Sequence, residues 1–289
     1  MIPPDLVEEV VVNILRTAVT TLPSDVVSEL QKAEAEESDE IARTQISTIL
    51  ENVRRAGEIA VPMCQDTGIP LFFVSGGCIS EIEDAIKRGV VRATEEVPLR
   101  PNVVHPLTRR NAGNNLGIEM PHVNYSPGPR DYVDITVMPK GAGSENMSAL
   151  RMLVPSEGIR GVKSFVLDTV VSAGSRPCPP TIVGVGIGGS SDIAMTLAKK
   201  ALLRPLNVRN PHAELQALEE ELLAAINQTG IGPMGLGGKT TSLGVRIDMA
   251  HCHTASLPVA VNLQCWAARK ASARIFLDGR VTYSTEGFW

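Results

Sequence analysis

The order of apolar and polar positions predicts alternating helices and strands. Val7, Val10, Val11, Ile14 and Ala18 form one apolar stripe at helical spacing within residues 4–21. Pro23-Ser24-Asp25 restarts the chain into a second, acidic helix reaching about Ser38, and a third over about 39–56 stops at Gly57. These three leading helices read as an N-terminal cap. The loop PMCQDTGIP leads into an apolar strand, Leu71 to Val74, and Ser80 with Glu83 forms a capping box for a helix to about Glu95. Residues 98–129 are rich in Pro, Asn and Gly, a long loop of the kind that carries function. Val133, Ile135 and Val137 alternate as a strand, MPKGAGSEN turns into a helix near Met147, and a further helix covers about 158–173. CPPTIVGVGIGGSSD reads as loop, strand, glycine turn and the start of a helix reaching Leu203. Residues 212–227 are an amphipathic helix, and GIGPMGLGGKT is a glycine turn. Strands follow at 245–249 and 258–263, with two more near Ile275 and at 281–283. Strand–helix alternation without repeats points to an α/β architecture.

Composition narrows the class. The 289 residues are 43% hydrophobic and 20% charged, which excludes a disordered tail, a collagen-like repeat and a coiled coil. Aromatics at 3% and a net charge of -5 argue against a base-stacking or phosphate-backbone binder, so no nucleic-acid partner is expected. Uncharged stretches such as Thr254 to Ala268 contain Pro or polar residues and fall short of the ~20 apolar residues of a membrane helix. The opening MIPPDLVEEVV has no basic n-region, so the expected location is the cytoplasm, with no membrane partner. No flexible linker is visible.

Two glycine motifs invite a nucleotide reading. Gly184 to Gly189 fits GxGxxG between a strand and a helix, but the fingerprint needs an acid about 20 positions later, where the chain reads Leu206-Asn207-Val208-Arg209-Asn210. A tight strand-to-helix turn explains it, and that helix N-terminus can still receive a carboxylate. Gly238-Lys239-Thr240 ends like a phosphate loop, yet Pro233 stands where the first glycine belongs and a helix precedes it.

Five cysteines, Cys64, Cys78, Cys178, Cys252 and Cys265, are not a disulfide framework in a chain expected in the cytoplasm, and their odd count and wide spacing fail the CxxC zinc pattern. Cys78 and Cys252 read as small buried hydrophobes. Cys64, Cys178 and Cys265 sit in turn-like or strand-end settings, with prolines stiffening the chain around Cys178. Three such thiolates can ligate three irons of a four-iron cluster and leave the fourth open as a Lewis acid, although spacing alone does not establish it. His251 and His253 flank Cys252, and strand alternation would put both on one face, as a metal pair or as packed histidines.

Cys64-Gln65-Asp66-Thr67-Gly68, Lys140-Gly141-Ala142-Gly143-Ser144, Cys178-Pro179-Pro180 and Cys265-Trp266-Ala267 occur in the order seen in class I fumarases. Over nearly its whole length the chain resembles the α subunit of the iron–sulfur fumarate hydratases and of the related L(+)-tartrate dehydratases. The resemblance implies N-terminal helices followed by two packed α/β subdomains framing the cluster, all within one catalytic domain over residues 1–289. It implies a [4Fe–4S] cluster on Cys64, Cys178 and Cys265 with one open iron, and a C4 dicarboxylate substrate hydrated reversibly across its C=C bond. Arg100 aligns with the family's carboxylate-gripping arginine, Gly143 with a backbone amide donor, and His253 with a substrate-site residue, while Gln65 and Lys140 are further substrate contacts. Asp66, beside Cys64, orients the hydroxyl or takes part in proton transfer; the alternative is a cap on its own turn. His251 is left without a role.

The base that removes the carbon-bound proton is not identified in this chain. The family supplies further substrate contacts and a catalytic threonine from a swivelling domain. Only 24 residues follow Cys265, fewer than the ~40–60 of a small domain, so a separate β subunit in an α2β2 assembly is expected. Lys140 and Ser144 favour the fumarase pattern over the tartrate enzymes, with mesaconate a third substrate to test. A non-catalytic iron–sulfur sensor or scaffold would need the cysteines but neither Arg100 nor the KGAGS loop. A nucleotide-binding module would bind ATP or NAD without iron.

Overall fold

In the computed structural model, residues 2–76, 79–129 and 131–288 are described, together with the backbone but not the side chains of Ile79 and Ser80. Cys78 and the Ser80 half of the expected capping box lie outside them. The chain folds into two units, one of residues 1–24, 52–142 and 269–289, the other of residues 25–51 and 143–268.

The first unit is built around helix α1, Pro4–Thr20, which opens with proline in its first turn, where no amide partner is needed. Its stripe Val7, Val10, Val11, Ile14 and Ala18 is buried as expected, with Leu15 added. These residues pack with α4 (Ile79–Glu96) against a five-stranded sheet. The sheet's order is β2-β1-β3-β8-β9: His122–Ser126, Ile69–Ser75, Tyr132–Lys140, Ala271–Phe276 and Val281–Ser284. Only β1 and β2 are parallel; the other pairs are antiparallel. Phe72, Val74, Val133, Ile135, Val137, Ala273 and Ile275 turn inward at alternate positions, the pattern of a sheet with one packed face. α1 is therefore a core element of this unit rather than part of a cap. Pro4–Glu36 is long and apolar enough by composition to cross a membrane, but it is two helices parted at 21–23, and 67% of its apolar window is buried in the fold.

The second unit holds most of α2 (Ser24–Glu36) and the start of α3 (Glu40–Ile59), which runs two residues past Gly57. Its sheet, in the order β4-β7-β5-β6, comprises Ala149–Leu153, Leu257–Gln264, Thr181–Gly188 and Ser242–Ala250. One face buries Val183, Val185, Val245, Ile247, Val259, Val261 and Leu263 under α6 (Gly158–Ala173) and α8 (Ala213–Asn227). The other receives α7 (Ser191–Ala201) through Ala194, Ala198 and Ala260.

Several expectations shift. The Pro-rich segment 98–129 contains strand β2. The helix expected near Met147 is α5, only Ala142–Glu145, and β4 follows it. In the GxGxxG motif, Gly184 and Gly186 lie inside β5 rather than in a turn. A Cβ on Gly184 would sit 2.2 Å from the Ala198 carbonyl oxygen, and one on Gly186 2.0 Å from that of Ala194. These glycines let α7 lie directly on the strand, so the motif is a packing device. The GKT segment is likewise engaged from within the protein. The buried Glu37 carboxylate accepts from the Lys239 amide at 2.7 Å and from the Ser38 and Asp39 amides at 2.8 and 2.9 Å. Burial raises the Glu37 pKa, but these amide donors outweigh it and hold the carboxyl below its ordinary range.

Candidate active site

In the first unit the CQDTG turn is tied by its own polar residues. Asp66 Oδ1 accepts from the Gly68 amide at 2.9 Å and from Asn102 Nδ2 at 3.1 Å. Its Oδ2 accepts from the Ala142 amide at 2.8 Å, in the KGAGS segment. Asn102 Nδ2 also donates to the Gly68 carbonyl at 3.0 Å. Buried Thr67 accepts from the Arg100 amide at 3.0 Å. Gly68 has φ +82°, and a Cβ there would meet the Lys140 amide nitrogen at 2.7 Å, so glycine lets the turn lie against the end of β3.

This knot unites residues that the sequence scatters. Cys64 is half-buried, and Gln65 is exposed beside it. Arg100 is fixed through its backbone while its exposed guanidinium makes no hydrogen bond or ion pair with a described residue. Lys140 is 1% exposed at the end of β3. Arg269 and Asn102 were not singled out by sequence. Arg269 donates from Nη1 to the Asp66 carbonyl at 2.6 Å, and its Nη2 lies 3.3 Å from where a Gly141 Cβ would be.

In the second unit two cysteines occupy the same end of the sheet. Cys178 precedes β5 and Cys265 directly follows β7, and the antiparallel pairing sets Ile182 opposite Gln264. The Trp266 amide donates to the Cys178 carbonyl at 3.2 Å, joining the two loops. Cys178 itself has φ +54°, a conformation costly for a non-glycine residue and held here by bonds on both sides, including its own amide to the Ser175 carbonyl at 3.0 Å. Gly143 lies in α5, where a Cβ would approach the Arg176 carbonyl oxygen to 3.1 Å.

The histidine pair differs from expectation. β6 ends at Ala250, so His251, Cys252 and His253 are exposed loop residues with no shared strand face, and Cys252 is not a buried hydrophobe. His253 organises its own turn, with Nδ1 accepting from the Ala255 amide at 3.1 Å and its carbonyl accepting from the Ser256 amide at 3.0 Å. That bond assigns the neutral ring's proton to Nε2, which leaves an N–H donor.

Among the described residues, no three His, Cys, Asp or Glu side chains are gathered into a metal site. The chemistry of the donors nevertheless fits an iron–sulfur group. Cys64, Cys178 and Cys265 are in no disulfide and are partly accessible, and soft thiolates on stiffened loops are the ligands such clusters take.

A family model described as fumarate hydratase (Fumerase) matches residues 8–274. The chain belongs to this fumarate hydratase family. It is 51% identical over 283 residues to a Methanocaldococcus jannaschii protein named "Putative L(+)-tartrate dehydratase subunit alpha", covering 95% of this chain and 99% of that one. It is 35% identical over 275 residues to the L(+)-tartrate dehydratase subunit alpha of Escherichia coli K12, covering 93% of this chain and 91% of the relative. The protein of the same name from Shigella sonnei matches equally. As a member of a hydro-lyase family, the chain is expected to have a site that handles a hydroxyl and a carboxylate together.

Proposed function

We propose that this chain is the iron–sulfur α subunit of a cytoplasmic hydro-lyase that hydrates fumarate reversibly to (S)-malate. The observation that carries the reading is the knot in the first unit. There one carboxylate, Asp66, joins the Cys64 turn, the Arg100 segment through Asn102, and the KGAGS loop through Ala142. A metal ligand, a carboxylate-binding cation and an amide-bearing loop thus share one scaffold. Cys64, Cys178 and Cys265 would hold a [4Fe–4S] cluster with one open iron. When bound, the cluster supplies Lewis-acid polarisation of the substrate hydroxyl.

The protein's own groups do the rest. Arg100 grips one substrate carboxylate through parallel N–H donors. The Gly143 amide supports a carboxylate oxygen as charge develops on it. Gln65 completes the polar contacts on this chain, Lys140, buried at the end of β3, adds positive charge without reaching the substrate, and His253 donates from Nε2. Asp66, with both oxygens already accepting, positions the turn and is the first carboxylate to examine for proton transfer. The carbon-bound proton goes to a group on a β subunit with a swivelling domain, in an α2β2 assembly; the subunit names of the relatives support such a partner. Residues 1–289 form one catalytic domain in this reading.

A second substrate reading has its own support. The relatives are named for L(+)-tartrate, which differs from malate by one hydroxyl; the Lys140 and Ser144 pattern favours fumarate. A coupled assay of the anaerobically loaded α and β chains with malate, tartrate and mesaconate decides between them. Turnover of tartrate alone overturns the fumarate reading. Loss of cluster iron and sulfide in C64S, C178S and C265S, with retention in C78S and C252S, tests the ligand set. Equal loss in C78S breaks it.

A further inference from the structure

Arg269 is a buried cation without a counter-ion among the described residues. It is 1% exposed, and no carboxylate among the described residues forms an ion pair with it. One N–H reaches the Asp66 carbonyl, and Nε is enclosed with no partner at all. The Asp66 carboxylate flanks the same Gly141 position at 3.3 Å but is committed to Gly68, Asn102 and Ala142. Burying an isolated guanidinium costs several kcal/mol unless negative charge stands near it. Arginine keeps its charge at any ordinary pH, so the protein cannot relieve the cost by neutralising the group. Its exposure is too small for substrate to reach it. What the guanidinium does touch is the carbonyl two residues after Cys64.

We propose that Arg269 is a positioning residue for the metal centre. It fixes the Cys64–Asp66 turn through the Asp66 carbonyl and supplies the positive charge against which an anionic iron–sulfur group is held. The inference rests on the cluster reading above, and it adds a residue that neither binds metal nor touches substrate. Removing the charge destabilises the more negative, reduced form of the group, so the reduction midpoint falls. Losing the carbonyl bond loosens the turn.

The test compares R269Q and R269K with the wild-type chain, all loaded anaerobically with iron and sulfide. Iron and sulfide content, iron release to a chelator and the reduction midpoint are measured on each. R269Q is expected to release iron at least tenfold faster and to have a lower midpoint, and R269K to return the midpoint toward the wild-type value. A role confined to packing would not make the midpoint follow charge. In the iron-free proteins, the Gly68 and Ala142 amides should exchange hydrogen faster in R269Q. Wild-type release, midpoint and exchange in R269Q overturn the proposal, as does a midpoint in R269K as low as in R269Q. If R269Q does not fold, R269K alone decides: a wild-type midpoint with faster iron release supports the proposal, and wild-type behaviour in both overturns it. A wild-type chain that takes up no iron overturns the cluster reading and this proposal together, whereas a loaded wild type with an unaltered R269Q overturns only this one.

Discussion

Each unit sets a carboxylate close to arginine, Asp66 part-buried in the first and Glu219 buried in the second, and the two arrangements differ in how the charges meet. In the second unit Glu219 is 2% exposed and faces its cations directly. Arg204 donates to one carboxylate oxygen, Arg246 Nη1 reaches the other at 3.4 Å, and the Ile247 amide and Asn210 Nδ2 each donate at 2.8 Å. Burial still pushes the Arg246 pKa down, with Glu219 opposing it. In the first unit Asp66 accepts only from amides, and Arg269 reaches a carbonyl instead of the carboxylate. The second set closes on itself and serves the scaffold. The first leaves positive charge uncompensated beside a proposed metal ligand. Guanidiniums that meet a carboxylate directly read as structure; one that meets none among the described residues reads as a place where something else binds.

The largest expected effect lies in the closed set. Glu219→Ala leaves two buried guanidiniums unmatched and should cost about 3–5 kcal/mol of stability, read by denaturant unfolding. A loss below about 1 kcal/mol would mean that the set is not closed. Arg100→Met should leave unfolding unchanged, because its side chain has no described partner to lose. It should cut kcat/KM by roughly 30-fold to several thousand-fold, the scale of about 2–5 kcal/mol for a severed charge-assisted contact. Unchanged kinetics in a loaded protein would move Arg100 out of the site.

Asp66→Asn is intermediate. The amide nitrogen would face one of the N–H donors, and the turn should lose about 1–3 kcal/mol, with faster proteolysis at 64–68 as a second readout. The smallest effect concerns Asp248 on β6, whose pKa is raised chiefly by burial. Its folded-state pKa lies above the unfolded one, so its stabilising contribution is present below the ordinary carboxylate range and is lost as pH rises through the raised value. Asp248→Asn should therefore match the wild type in acid and exceed it in stability at neutral pH. A variant less stable than wild type at neutral pH would show that Asp248 has a favourable partner there.

Much of the fold is readable from periodicity, and the failures have identifiable causes. α1 and β3 show their buried faces in the sequence because one face is apolar at regular spacing. β2 is hidden because Pro121, Pro127 and Pro129 bracket a five-residue strand, and proline ordinarily argues for a loop. β4, ALRML, carries helix-favouring residues and becomes a strand through its pairing with β7, a contact local propensity does not contain. Gly184 and Gly186 match a phosphate motif because close helix packing and close ligand approach both require the absence of a Cβ. In the site, CQDTG, KGAGS and the strand-end cysteines are legible as motifs. Asn102 and Arg269 are not, since their roles exist only once segments distant in sequence are adjacent. The signal that could have found Arg269 is the pair of charged residues, Arg269 and Lys270, inside the otherwise small, buried run Ala267 to Ala271.

The interleaving of the two units has a consequence for biosynthesis. β8 lies between β3 and β9 in the first unit's sheet, yet it begins at Ala271, after every residue of the second unit. Every residue of the second unit is therefore synthesised while the first still lacks an interior strand. Until that strand emerges, β3 exposes an unpaired edge, the kind of template that recruits other chains. A released chain truncated after residue 268 should therefore carry a protease-resistant second unit and an open first one.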